Sequence, residues 1–253
     1  MSEMERAAVR PDTVRLVQRA ISLPESDRKA PSFDCDECND SGYVFFQQGG
    51  YQFSRKCGCA VRRLQAQKLA IIPPAFKAAS LERLQPDVSR HPKQIVLVEA
   101  IRQNPEGSYF LAGRFGTGKT YLMWALYRHA VMTGKRTVIC TLSELIGEYK
   151  RFIQQSMSGQ QLQYPRIGAE DLRQQHTRYS IFLDDVDKAR PTEYVAEQLF
   201  ELVDAVYAFG HQLVVTTNLS AELLSQHFER ADERFGGAIV RRMTENAVSA
   251  ELF

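Results

Sequence analysis

The clearest chemistry in the sequence lies at Gly113-Arg114-Phe115-Gly116-Thr117-Gly118-Lys119-Thr120, which matches the pattern G-x-x-x-x-G-K-[ST]. Each fixed position has a physical task. Gly113, Gly116 and Gly118, with Thr117 between the last two, let the backbone turn so that successive N–H groups face phosphate oxygens. The helix expected after the loop adds the positive end of its dipole. Lys119 brings a mobile cation to the β- and γ-phosphates, and the Thr120 hydroxyl is placed to ligate Mg²⁺. The segment predicts a site for ATP with Mg²⁺.

A site of this kind needs a carboxylate and a polar group able to respond to the last phosphate. The run Ile181-Phe182-Leu183-Asp184-Asp185 reads as a buried strand ending in two acids, at the edge of a sheet where ligands bind. Asp184 is expected to support Mg²⁺ and Asp185 to orient or activate the attacking water. Val214-Val215-Thr216-Thr217-Asn218 reads as a further strand, whose terminal Asn218 is placed to hold the water or sense the γ-phosphate. Asp187 and Lys188 read as ordinary surface charges.

A second constellation stands earlier. Cys35 and Cys38 are separated by two residues, Cys57 and Cys59 by one. Two such knuckles can bring four thiolates onto one tetrahedral Zn²⁺, and with four protein ligands the site is closed and structural. Tyr43, Phe45, Phe46, Tyr51 and Phe53 alternate loosely between the knuckles, as in a small β-ribbon. A segment this short has little core of its own, so metal would supply folding energy. An iron–sulfur cluster or four ordinary thiols are the other readings. The basic residues Arg55, Lys56, Arg62, Arg63 and Lys68 could touch DNA or form a solvated face. Cys140 sits alone in an apolar run.

The elements that must position these groups follow from periodicity. Residues 11–22 suit a short amphipathic helix, 24–31 a linker, and 61–70 a helix closed by Ile72-Pro73-Pro74. We place a boundary there: an N-terminal partner-binding region, 1–72, with the cysteine site at 33–60, and an ATPase domain, 73–253. Beyond it, apolar runs at 108–112, 136–142, 179–183 and 212–216 alternate with helical stretches at 121–132, 192–209, 220–227 and 236–247. Ser143 is expected to cap the helix after the second run, Gly210 to stop the long helix, and residues 157–168 to form a loop. The alternation predicts an α/β fold, a mainly parallel sheet between two helical layers.

Composition agrees with a folded chain: hydrophobic residues make up 44% and charged residues 25% of the sequence. A net charge of +2 is too small for a generic nucleic-acid coat. No apolar run approaches the ~18 residues of a membrane span, and residues 1–10 lack an apolar signal core. A cytoplasmic protein is expected, with no membrane partner.

GRFGTGKT, FLDDVDK and VVTTN, in this order and spacing, together with the lead-in Ile72-Pro73-Pro74-Ala75-Phe76-Lys77-Ala78-Ala79-Ser80-Leu81-Glu82, resemble the AAA+ ATPases of the DnaC/DnaI helicase-loader and IstB-like group over roughly residues 70–245. The resemblance implies a P-loop AAA+ core that self-associates into an oligomer. It implies ATP hydrolysis used to place a replicative DNA helicase on single-stranded DNA, with the N-terminal portion contacting the helicase. It implies nucleotide and Mg²⁺ ligation by Lys119 and Thr120, an acidic pair at Asp184 and Asp185, and a sensor at Asn218. Such proteins carry two arginines one helical turn apart near the C-terminus, one acting on a neighbour's site. Here Arg242, beside Arg241, fits the second position, whereas the first is Ala238, with Arg234 a further turn back. That departure, and the absence after this helix of a stretch long enough for a full helical lid, point to slow hydrolysis. Two further readings stay open: an IstB-like transposition helper that coats duplex DNA, and an ATP-gated adaptor that scarcely hydrolyses.

Overall fold

The computed structural model describes residues 34–86, 94–174 and 178–252. The helix expected over 11–22 and the linker at 24–31 lie outside the described residues. The chain divides into two compact units, Met1–Ala60 and Val61–Phe253, and each is described by itself.

In the first unit, β1 (Tyr43–Gln48) and β2 (Tyr51–Lys56) form an antiparallel hairpin. Gly49 and Gly50 make its turn with φ of 60° and 81°, the left-handed geometry that matches strand twist and that glycine adopts without steric cost. The expected aromatic ribbon is therefore present, and Phe46 stacks on its cross-strand partner Phe53 at 5.8 Å. Helix α1 (Gly58–Ala70) starts at the second knuckle.

The second unit is built on a parallel sheet of β3 (Ser108–Gly113), β4 (Arg136–Thr141), β5 (Tyr179–Asp184), β6 (Gln212–Thr217) and β7 (Ala247–Leu252), in the order β4-β5-β6-β3-β7. Helices α2 (Gln94–Gln103) and α3 (Lys119–Met132) cover one face. The other carries α4 (Leu142–Ser158), α5 (Ala169–Gln174), α6 (Glu193–Ala208), α7 (Ala221–Glu229) and α8 (Gly236–Thr244). Side chains alternate across each strand: Tyr109 and Leu111 pack towards α3, Phe110 and Ala112 towards α6. This double coverage explains why the strands read as continuous apolar runs.

Local signals set the helix ends. Gly210, with φ of 67°, follows α6 as expected. The cap of α4 is Thr141, not Ser143: its hydroxyl accepts from Glu144 N and the Glu144 carboxylate returns to Thr141 N, a closed capping box. Helix α4 also takes the first two residues of the expected 157–168 loop. The larger correction is at the C-terminal end. The stretch expected to be helical over 236–247 stops at Thr244, and 247–252 becomes β7, pairing in parallel with β3. Polar residues on its exposed side, where Ser249 and Glu251 alternate with apolar ones, hide the strand from a search for apolar runs. Among the described residues no helix is long and apolar enough to cross a membrane.

Candidate functional site

The strands β3, β5 and β6 end side by side, so the glycine loop, the acidic pair and Asn218 converge at the carboxyl edge of the sheet. Backbone geometry dictates the glycines. Gly116 and Gly118 have φ of 80° and 81°. Gly113 meets a second constraint: a Cβ there would lie 2.5 Å from Leu252 O, so the end of β7 packs directly on its Cα. Arg114 N donates to the same Leu252 oxygen at 3.3 Å.

The loop's carbonyls are turned inward and held. Lys119 Nζ donates to Gly113 O at 2.7 Å and to Arg114 O at 3.0 Å. Thr117 Oγ1 donates to Arg114 O at 2.9 Å, and Gln94 Nε2, from the start of α2, donates to Thr117 O at 2.6 Å. With the Gly113, Arg114 and Thr117 carbonyls held in this way, the loop runs into the start of α3, a helix N-terminus of the kind that binds an anion. Lys119 is buried, which pulls its pKa down, while the nearby carboxylates of Asp185, Asp187 and Asp184 favour its charge.

Asp184 lies opposite two hydroxyls. Thr216 Oγ1 donates to Asp184 Oδ1, and Thr120 Oγ1 donates to the same oxygen at 3.4 Å. Burial raises the Asp184 pKa, and the neighbouring Asp185 charge adds to this, against the hydrogen bond from Thr216. A hydroxyl and a carboxylate sharing one spot at the loop's exit are hard oxygen donors of the kind Mg²⁺ takes. Asp185 sits in the left-handed region with φ of 51°, its N–H bonded to Thr216 Oγ1 at 2.9 Å and its carboxylate paired with Lys188.

Asn218 is held from two sides. Its Oδ1 accepts from Lys119 Nζ at 3.2 Å, its Nδ2 donates to Asp187 Oδ2 at 3.1 Å, and its backbone N–H donates to Asp187 Oδ1 at 2.9 Å. Asp187 is thus no ordinary surface charge. It is half-buried, and although burial acts to raise its pKa, the bonds from Asn218 outweigh that and hold it low. Of the residues that hold the site together, Thr216 reads in the sequence only as part of a strand, Asp187 as a surface charge, and Gln94 not at all. The Thr-Thr pair at the end of β6 was the available signal for the first.

Arg242 does not join this group. It lies on α8, where its Nε pairs with Asp204 Oδ1 of α6 at 2.9 Å and its guanidinium covers the Tyr207 ring at 4.5 Å. There it lines a cavity of about 460 Å³ with Ser108, Tyr179 and Gln212, the first residues of β3, β5 and β6. That is the opposite end of the strands from its own glycine loop. Arg234 is 71% exposed and pairs with Asp232 and Glu193.

The cysteines of the first unit converge. The Sγ atoms of Cys35, Cys38, Cys57 and Cys59 all lie within 4.8 Å of one another. The closest approaches, 3.3 Å for Cys38–Cys59 and 3.6 Å for Cys35–Cys57, are too long for disulfides. The range from 3.3 Å up to that 4.8 Å limit spans the ~3.8 Å between thiolates on a tetrahedral zinc with Zn–S bonds of about 2.3 Å. Left-handed Asn39 and Asp40 and Gly42 make the turn after the first knuckle, and Cys57 N closes it on Gly42 O at 2.8 Å. The donor set fits Zn²⁺. Cys140 stays apart, buried, with its thiol pushed up to about 12 by burial.

Comparison with known proteins places this geometry. The family model described as IstB-like ATP binding protein matches residues 98–251. The chromosomal replication initiator protein DnaA of Gloeobacter violaceus is 26% identical over 145 residues, 56% of this chain and 31% of that protein. That of Geotalea uraniireducens is 26% identical over 146 residues, 56% of this chain and 30% of that protein. The match thus spans about a third of the length of these curated relatives. Among solved structures, DnaI superposes with a TM-score of 0.56 at 18% identity, over 72% of this chain and 95% of that one. The DnaC helicase loader gives 0.52 at 18% identity, over 72% and 100%. DnaA bound to AMPPCP and single-stranded DNA gives 0.51 at 16% identity, over 72% and 51%. At these identities the structures establish a shared AAA+ fold.

Proposed function

The chain belongs to the family of IstB-like ATP binding proteins, and on that premise we propose that it is an ATP-controlled assembly factor of DNA replication, which recruits or loads a replicative helicase onto single-stranded DNA. The observation that carries this reading is the joining of Lys119, Asn218, Thr120 and Asp184 at one sheet edge, in a fold shared with DnaI and the DnaC helicase loader.

In this proposal the N–H groups of Gly113, Gly116, Thr117, Gly118 and Lys119 cradle the phosphates of ATP. Thr120 and Asp184 would hold Mg²⁺, which neutralises charge on the phosphate oxygens. Asp185 takes a proton from a water whose oxygen bonds to the γ-phosphorus. The bond from that phosphorus to the bridging oxygen breaks, leaving ADP and phosphate. Asn218 and Lys119 respond to the γ-phosphate. Arg242, remote from its own loop, would act on the site of a neighbouring copy in an oligomer, and its ties to Asp204 and Tyr207 hold it ready at that edge. The ATPase part begins near Pro73. The region before it, with Zn²⁺ held by the four cysteines, engages the helicase in the cytoplasm.

The family's name keeps a second reading alive, a transposition helper acting on duplex DNA. Co-purification with a replicative helicase and with a transposase, alongside binding to single-stranded and duplex oligonucleotides, separates the two. Helicase capture with single-strand preference supports the loader. Transposase capture with duplex preference replaces it. Capture of a partner without ATP turnover in the presence of DNA would favour the adaptor.

A further inference from the structure

Asp187 accepts two hydrogen bonds from one residue, the backbone N–H and the side-chain Nδ2 of Asn218, at 2.9 and 3.1 Å. A carboxylate is acceptor-only, so both of its oxygens can receive a donor at once, and this pair fixes the Asn218 amide in one sense. The amide nitrogen points to Asp187. The amide oxygen is left facing the loop, where it accepts from Lys119 at 3.2 Å. Phosphate oxygens are also acceptors, so an amide oxygen held in this sense cannot bond them itself. It acts through the lysine ammonium.

We propose that Asp187 is a positioning residue that sets the polarity of the Asn218 amide, so that Asn218 reports on the γ-phosphate through Lys119 rather than by direct contact. The inference rests on the nucleotide-site reading above and adds to it a residue and a direction of action. Asp187, Asn218 and Lys119 form a carboxylate–amide–ammonium chain through the Nδ2–Oδ2 and Nζ–Oδ1 hydrogen bonds, and such chains polarise along their length. The chain also joins the turn after β5 to the end of β6 and the start of α3. A γ-phosphate that draws Lys119 outward pulls on the two strand ends together. The same lysine holds Gly113 O and Arg114 O, so loop and sensor are released by one movement.

The amide polarity decides what each substitution does. Asp187→Asn keeps the shape of the side chain but offers one acceptor and one donor group. Meeting both donors of Asn218 then forces one donor against another, and the relief is a flipped Asn218 amide whose NH₂ faces the Lys119 ammonium. Removing the carboxylate also has a plain electrostatic effect of opposite sign: less negative charge beside Lys119 favours ATP over the less anionic ADP. A loss of ATP preference therefore identifies positioning.

The experiment measures dissociation constants for ATP and ADP with Mg²⁺ for the full chain, for Asp187→Asn, Asp187→Ala and Asn218→Ala, and for the double variant Asp187→Ala/Asn218→Ala. The ratio of the two constants in the wild type defines the ATP preference. We expect each single variant to lose about 5-fold or more of that preference, and the double variant to lose no more than Asn218→Ala alone, as required of residues acting in one chain. An unchanged or increased preference in Asp187→Asn, with Asn218→Ala reduced, overturns this proposal and leaves the nucleotide site intact. Losses that multiply in the double variant also overturn it, since Asp187 then acts separately. Wild-type preference retained in Asn218→Ala sinks the sensor reading itself, and this proposal with it.

Discussion

Thr216 Oγ1 donates to Asp184 Oδ1 while accepting the backbone N–H of Asp185. One hydroxyl on β6 therefore fixes both acids at the end of β5. Parallel pairing brings this about: Leu183 lies opposite Val215, so the next residue of each strand, Asp184 and Thr216, meet where the ladder ends. Replacing Thr216 by Val keeps the shape and removes both bonds. The Asp185 N–H then loses its partner, at a cost of about 1–3 kcal/mol, and Asp184 is less well aimed. Urea unfolding should show that loss in the midpoint, and ATP turnover should fall about 10-fold. Wild-type turnover in a folded Thr216→Val protein would rule out the alignment role.

Burial raises the Asp184 pKa, with the Asp185 charge in support. The sign follows from linkage. A carboxyl whose folded pKa lies above its unfolded value binds its proton more tightly in the folded state. Its contribution to stability is fully present below the unfolded pKa and is lost as pH rises through the folded one. Asp184→Asn is therefore expected to melt at a higher temperature than wild type at neutral pH, with the difference shrinking on acidification, and to lose the Mg²⁺ dependence of nucleotide binding. Melting curves across pH, with nucleotide titrations with and without Mg²⁺, check both. A gap that widens with acid contradicts the assignment.

Gly113 approaches the end of β7 so closely that a Cβ would stand 2.5 Å from Leu252 O and 2.9 Å from its carbonyl carbon. Both are backbone atoms, so relief requires the strand end to shift. Gly113→Ala is expected to destabilise the fold by about 1–3 kcal/mol and to weaken nucleotide binding, because the displaced backbone carries Arg114 N with it. Gly116, whose Cβ would meet no heavy atom within 4 Å, is the control: Gly116→Ala should weaken nucleotide binding with a smaller loss of stability. Equal midpoints for wild type and Gly113→Ala would remove the packing argument.

The cysteine unit should behave as a separate metal-dependent element. One Zn²⁺ per chain is expected from metal analysis of freshly purified, reduced protein, and none from Cys57→Ser. Because a site of four thiolates scarcely exists in the unfolded chain, binding energy becomes folding energy. A strong chelator should therefore expose the 34–60 hairpin to protease while ATP affinity of the second unit stays within about 2-fold. Iron in place of zinc, or no metal at all, would refute the zinc assignment.

These cases show what was legible in the sequence. The glycine loop, the double acid, Asn218 and the four cysteines each stand out by residue type and spacing, and the structure brings each set together, while the αβ alternation follows from apolar periodicity. Strand β7 is hidden in the sequence because the exposed Ser249 and Glu251 interrupt its apolar pattern. The role of helix α2, packing Leu97, Val98 and Ile101 under the sheet and sending Gln94 to Thr117, depends on long-range contacts that local pattern does not carry. Asp187 is one more acid near a strand end until the fold brings β6 beside it. Local pattern picks out Lys119, Asp184 and Asn218. The groups that hold them in place become visible only through register.

A nucleotide site whose phosphate cradle depends on Lys119 is tested most directly by titrating a fluorescent ATP analogue with Mg²⁺ into wild type and Lys119→Ala. Lys119 is a buried cation bonded to Gly113 O, Arg114 O and Asn218, so folding of the variant is verified by its melting curve in the same samples. Wild type should bind saturably, and a folded Lys119→Ala should bind at least about 100-fold more weakly. Equal affinity in the two proteins would rule out this nucleotide site.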